Sequence, residues 1–285
     1  MFVLQWGEPV MVPAMTNEIR LNYLNSPRIK ALTPTHYSVI RFDSNNQCNV
    51  HCAYCHISRS GDVIELDDFR SFLDEGVLGV DLFQFGCQME PTMDPRLCDF
   101  MQALAASPAR PCRGIRLQTN GILLHRHATD RMVEAGLKIV TVSVDSANAS
   151  TQKGLRGGTS LAKVRRNVVE FLRACPTVRV GFITVVTSDN IEETGELVAW
   201  GREAGVAQFE FRQMVHYPDN SIVDHQRMEI LEVTREQFDA MEARLRQQYG
   251  ETTALYFYPV ERLHQHAAQV LRASLVGSQA EARPF

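Results

Sequence analysis

Several things are missing from this chain of 285 residues. No apolar run comes near the roughly 20 residues that span a bilayer, so no membrane is expected as a partner. The start, Met1-Phe2-Val3-Leu4-Gln5-Trp6, has neither the basic flank nor the long apolar stretch of a secretory signal. No long basic run is present, and 29 basic against 33 acidic residues leave a net charge of −4. That balance gives no electrostatic footprint for nucleic acid, which is not expected as a partner either. The seven cysteines are an odd number with three in one cluster, which is no disulfide framework. A reducing, cytoplasmic setting is expected. The glycine-rich Gly154-Leu155-Arg156-Gly157-Gly158 is not followed by G-K-[ST], so it does not read as a phosphate loop. Neither a low-complexity linker nor a repeat beyond strand–helix alternation occurs. What remains, 45% hydrophobic and 22% charged, is the composition of an ordinary globular domain with room for a barrel-sized core.

What is present is concentrated in Cys48-Asn49-Val50-His51-Cys52-Ala53-Tyr54-Cys55. Three cysteines spaced C-x3-C-x2-C follow a predicted strand, Tyr37 to Asp43. Thiolates are soft ligands suited to zinc and to iron–sulfur clusters. A structural zinc wants four protein ligands, whereas a cubane held by three cysteines keeps one iron for another ligand. His51 lies inside the loop and leaves a zinc site open on composition alone.

Around this loop the pattern alternates. Strands are predicted at Val80–Phe85, Gly114–Thr119, Lys138–Asp145, Val178–Thr187 and Ala207–Val215, with amphipathic helices between them. Six strand–helix units predict a parallel sheet with right-handed crossovers. In such sheets chemistry gathers at the C-terminal strand ends. The residues found there are Cys87-Gln88-Met89-Glu90-Pro91, Gln118-Thr119-Asn120-Gly121, Ser143-Val144-Asp145 and Arg156. Period two puts Ser143 with Asp145, and Glu210 with Arg212, on shared strand faces. Thr234 is predicted to cap a helix from Arg235 to Gln248, Leu255–Tyr258 to form a strand, and Arg262–Leu275 a last helix.

These residues resemble the radical SAM superfamily, whose signature is C-x3-C-x2-C with an aromatic residue, here Tyr54, before the third cysteine. The resemblance implies an α/β fold, a partial (βα)6 TIM-like barrel at 37–215. A short N-terminal arm at 1–36 and a C-terminal helical extension at 216–285 are expected to flank it. It implies one 4Fe–4S cluster on Cys48, Cys52 and Cys55 and a bound S-adenosyl-L-methionine (SAM). Gln88 and Glu90 stand where the family commonly has a G-G-E-P-like motif for the SAM amine, with Gln88-Met89 replacing the glycines. Arg156 stands where the family's arginine pairs with the SAM carboxylate, and Ser143 and Asp145 match an S-x-D segment. Cys87 is a candidate hydrogen donor; Gln118, Glu210 and Arg212 are candidate substrate contacts. The implied enzyme cleaves SAM reductively to a 5′-deoxyadenosyl radical, with an electron donor such as flavodoxin or ferredoxin. The expected substrate is a small polar metabolite, nucleoside- or sugar-like, of natural-product biosynthesis. A peptide-modifying epimerase or cross-linking enzyme is the alternative within the family, and a zinc-stabilised binding protein the alternative outside it. No cysteine follows Cys175, so no auxiliary cluster is expected.

Overall fold

In Phe83-Gln84-Phe85 and Phe209-Glu210-Phe211-Arg212 aromatic and polar residues alternate, which sends them to opposite faces of a strand. The computed structural model describes residues 18–21 and 35–261 and shows where each face goes. One sheet contains, in spatial order, β1 (Glu18–Leu21), β2 (Thr35–Phe42), β4 (Val77–Phe85), β5 (Ile115–Thr119), β6 (Leu137–Ser143), β8 (Arg179–Val186), β9 (Gln208–Gln213) and β10 (Ala254–Tyr258). Every pairing in it is parallel. Two further strands, β3 (His51–Cys52) and β7 (Arg156–Gly157), form a small antiparallel ribbon. Helices Leu66–Gly76, Leu97–Ala106, Thr129–Glu134, Leu161–Ala174 and Thr194–Ala204 carry the chain back between neighbouring strands, as parallel pairing requires.

The apolar face packs on those helices. Phe42, Phe83 and Phe85 meet Phe69 and Phe100 in a fully buried aromatic cluster, with 4.6 Å between the Phe42 and Phe69 ring centroids. Each such ring contributes about 1.5–3 kcal/mol by burial. Farther along the sheet Phe182 lies 4.9 Å from Trp200 and 5.7 Å from Phe209. Gly201 makes that approach feasible, since a Cβ there would stand 2.6 Å from the Phe209 ring.

The polar face looks inward. Arg116 on β5 donates from Nη2 to Glu210 Oε1 on β9 at 2.6 Å. The two strands are three places apart, about 14 Å on a flat sheet, so the bond spans the inside of a curled one. The architecture is a partial TIM-like barrel.

The six strands expected between 37 and 215 are β2, β4, β5, β6, β8 and β9, and three features differ from expectation. The predicted N-terminal arm contains β1, which extends the sheet beyond β2. The segment read as a glycine loop holds a helix, Ala149–Leu155, because the Asn148 side chain caps it by accepting from Ser150 N. Another short helix, His225–Leu231, is capped by Asp224. The capping box at Thr234 and Gln237 starts helix Arg235–Tyr249 as its pattern predicts. The rest of the arm, the predicted helix Arg262–Leu275 and the last residues lie outside the described residues. Among the described residues no helix is long and apolar enough to cross a membrane.

Candidate active site

At the C-terminal ends of β2, β4, β5 and β6 the strands open into one pocket, onto which Cys48, Cys52, Cys55 and Cys87 all face. The cysteine loop is tied down from several sides. Its β3 segment pairs with β7, so His51 lies opposite Gly157 and Cys52 opposite Arg156. Arg59 donates to the Cys48 carbonyl at 2.9 Å and to the Val50 carbonyl. Ala53 and Tyr54 pack on an apolar cluster of Leu155, Met214, Val223, Met228 and Leu231. The His56 and Tyr217 rings pack with centroids 4.3 Å apart and planes tilted by 39°, and Asn220 donates to the His56 carbonyl at 2.9 Å. His51 is exposed and does not line the pocket. Burial pushes the Cys48 thiol up and that of Cys52 to about 11, the latter even with the Arg156 guanidinium nearby. Metal binding there must therefore displace protons. Among the described residues no three of His, Cys, Asp and Glu converge as tightly as a single metal ion requires; the thiols form a wall.

A second wall is the segment after β4. Its conformation depends on Asp43, at the end of β2, which sequence reasoning overlooked. Asp43 accepts the backbone N–H groups of Cys87 at 2.8 Å, Gln88 at 2.9 Å and Met89 at 3.3 Å. Burial pushes its carboxyl up to about 6, against the lowering effect of those three bonds. Gln88 and Glu90 line the pocket, but Glu90 is already engaged. Its carboxylate accepts from Thr92 N at 3.1 Å, Thr119 Oγ1 at 2.6 Å and Asn120 N at 2.6 Å, and from Thr92 Oγ1 as well. Three of the four bonds end on Oε1, and Oε2 accepts only from Asn120 N. Glu90 thus ties the ends of β4 and β5 together while its carboxylate also borders the pocket.

The third wall carries Ser143 and Arg156. Tyr54 and Asp145 do not reach the pocket. Strand β6 ends at Ser143, so the two-residue period expected to carry Asp145 to the same face stops short. Instead Asp145 is buried behind Arg156. It accepts from Val185 N at 3.0 Å, from Tyr54 Oη, and from Arg156 Nη1 at 3.4 Å, while Arg156 Nη1 also donates to Tyr54 Oη at 2.8 Å. Burial drives the Tyr54 phenol well above its usual range. Arg156 Nε is buried without a partner. That orphaned donor on a pocket with three thiols fits the groups implied by the resemblance, soft ligands for a cluster and a fork for a carboxylate.

The remaining candidates divide. Gln118 lines the pocket. Glu210 and Arg212 share one strand face as expected, with 3.1 Å between Arg212 Nη2 and Glu210 Oε2; that face is the lumen one, and neither residue lines the pocket. Arg116, which completes that group, was missed. Its signal was present, since Arg116 alternates with Ile115 and Leu117 as Glu210 does with Phe209 and Phe211.

The chain resembles known proteins in both sequence and fold. It is 29% identical over 175 residues to a GTP 3′,8-cyclase from Alkaliphilus oremlandii, covering 58% of this chain and 53% of that protein. It is 26% identical over 204 residues to a pre-heme d1 synthase from Dinoroseobacter shibae, covering 69% of this chain and 48% of that one. It spans about half the length of the curated relatives it matches. Its fold is similar to that of Streptococcus suis SuiB bound to precursor peptide SuiA, with a TM-score of 0.61 at 14% identity over 83% of this chain and 52% of that one. Residues 44–201 match the Radical SAM superfamily, more than half of the chain, and the chain belongs to that family.

Proposed function

We propose that the chain is a radical SAM enzyme acting on a small polar, nucleoside- or sugar-like metabolite. The observation that carries this is the pocket at the strand ends, which Cys48, Cys52, Cys55 and Arg156 line together, with the Arg156 Nε buried and unpartnered. Bound there, a 4Fe–4S cluster and SAM supply a 5′-deoxyadenosyl radical able to take hydrogen from an unactivated carbon. The three cysteines are its ligands. Arg156, locked by Asp145 and Tyr54, takes the SAM carboxylate through its free edge. Gln88, Ser143 and the backbone carbonyls at 87–89, whose segment Asp43 holds in place, bind and orient the rest of SAM. The walls exclude water, and Gln118 with the lumen beneath holds the substrate. Relatives named for a reaction of GTP support the nucleoside-like reading. The proposed electron donor is a flavodoxin or ferredoxin, and the proposed compartment is the cytoplasm.

The test is anaerobic reconstitution with iron and sulfide, then reduction with SAM. The expected outcome is a brown protein that forms 5′-deoxyadenosine, with colour and cleavage both lost in Cys55→Ala. A colourless, zinc-loaded protein inert toward SAM refutes the proposal, and retained cleavage in Cys55→Ala refutes the ligand assignment.

A further inference from the structure

We infer that the floor of the half-barrel is an oxyanion subsite for the substrate, built on Arg116 and Arg212. Arg116 and Gln118 are two residues apart on β5, and Thr141 and Ser143 two apart on β6. Gln118 and Ser143 line the pocket, so Arg116 and Thr141 lie one strand step, about 7 Å, beneath it.

Two guanidinium groups share one carboxylate on this floor. Arg116 uses Nε on Thr141 Oγ1 at 2.8 Å and Nη2 on Glu210 Oε1 at 2.6 Å. Arg212 uses Nη2 on Glu210 Oε2 at 3.1 Å. Nη1 of Arg116, and Nε and Nη1 of Arg212, have no acceptor among the described residues. Burial pushes the Glu210 carboxyl up, but the two arginines outweigh it and hold it below its usual range. Arg116, Arg212 and Glu210 together therefore carry one surplus positive charge. Arg212 keeps 30% of its side-chain surface exposed, with its guanidinium 5.9 Å from the Tyr258 ring centroid. A charge pair that only braced the barrel would need one guanidinium for one carboxylate. The second, partly exposed and with donors to spare, matches the planar, doubly hydrogen-bonding edge of a phosphate or carboxylate. A molecule anchored there extends along the lumen toward Gln118 and Ser143.

The word substrate rests on the proposed function, whereas the anion site does not. Titration calorimetry of the reconstituted holoprotein at constant ionic strength, with inorganic phosphate and separately with acetate, tests the site. Saturable binding of at least one is expected, weakened about tenfold or more in Arg212→Gln and in Arg116→Lys. Arg212→Gln changes a partly exposed side chain, and Arg116→Lys keeps the charge beside Glu210, so a folded variant is available to read. Phosphate binding alone marks a phosphorylated substrate; acetate binding alone marks a carboxylated one. Binding of neither probe, or an affinity unchanged in both variants, overturns the inference. A protein that forms 5′-deoxyadenosine yet ignores both anions refutes only this site. One that binds an anion through these arginines but leaves SAM intact refutes only the proposed function.

Discussion

Asp43 Oδ1 accepts the backbone N–H of Cys87 at 2.8 Å, and so the residue that follows β2 on the way to the cysteine loop shapes another wall of the pocket. The carboxylate does this at a cost, because burial raises its pKa from 3.8 to about 6. A raised carboxyl pKa contributes stability that is present at low pH and lost as pH rises through the folded value. Between pH 7 and pH 5 the folded state is expected to gain about 1 kcal/mol from this group. Urea denaturation at the two pH values checks it, with Asp43→Asn as the reference. Asp43→Asn removes most of the gain; an equal gain in both proteins assigns it to other groups.

Glu90 offers a choice between two roles that a single substitution separates. As a brace that accepts from four donors it makes Glu90→Gln destabilising by about 1–3 kcal/mol, because the new amide N–H₂ faces a donor. As a ligand for the SAM amine it makes the same variant weaken SAM binding with stability intact. Denaturation and SAM titration on one preparation read both. The expected result is the loss of stability.

Asp145 is the counter-charge of Arg156. Removing it in Asp145→Ala leaves a buried guanidinium with only the Tyr54 hydroxyl, at a cost of about 3–5 kcal/mol. Tyr54→Phe keeps the ion pair but loses two hydrogen bonds, the one donated to Asp145 and the one accepted from Arg156, about 2 kcal/mol. Thermal melts should rank the two in that order. Equal losses contradict the arrangement.

Two glycines near each other in sequence predict opposite signs. A Cβ at Gly154 meets nothing within 4 Å, and the residue lies in a helix, so Gly154→Ala stabilises by about 0.5–1 kcal/mol. At Gly157 a Cβ would stand 2.9 Å from the His51 carbonyl oxygen, so Gly157→Ala pushes β7 off the cysteine loop. That variant is expected to lose stability and to retain less iron after reconstitution, measured by denaturation and metal analysis.

Much of this layout was legible from period-two alternation and strand-end position, which are local signals. Six strands, the pocket positions of Gln88, Gln118, Ser143 and Arg156, and the shared face of Glu210 and Arg212 all followed from them. What escaped depended on contacts distant in sequence. Asp43 matters because the chain brings residues 87–89 to it, and nothing near position 43 announces three waiting N–H groups. Glu90 was read as a candidate SAM contact, and two of its four donors, Thr119 and Asn120, come from the next strand. Asp145 was misplaced for a nearer reason: alternation was carried past the end of β6. Arg116 shows the opposite error, since its alternation was plain and only its partner, three strands away, was not.

The apolar shelf of Met214, Val223, Met228 and Leu231 lies beyond β9, yet Tyr54, Ala53 and Leu155 rest on it. A chain cut at 215, where the barrel had been expected to end, would strip the cysteine loop of its backing and leave Leu155 facing water beside Arg156. For anyone trimming this protein or recombining it with a relative, the smallest segment that keeps the loop seated extends through Leu231, and the strand count is a poor guide to where to cut.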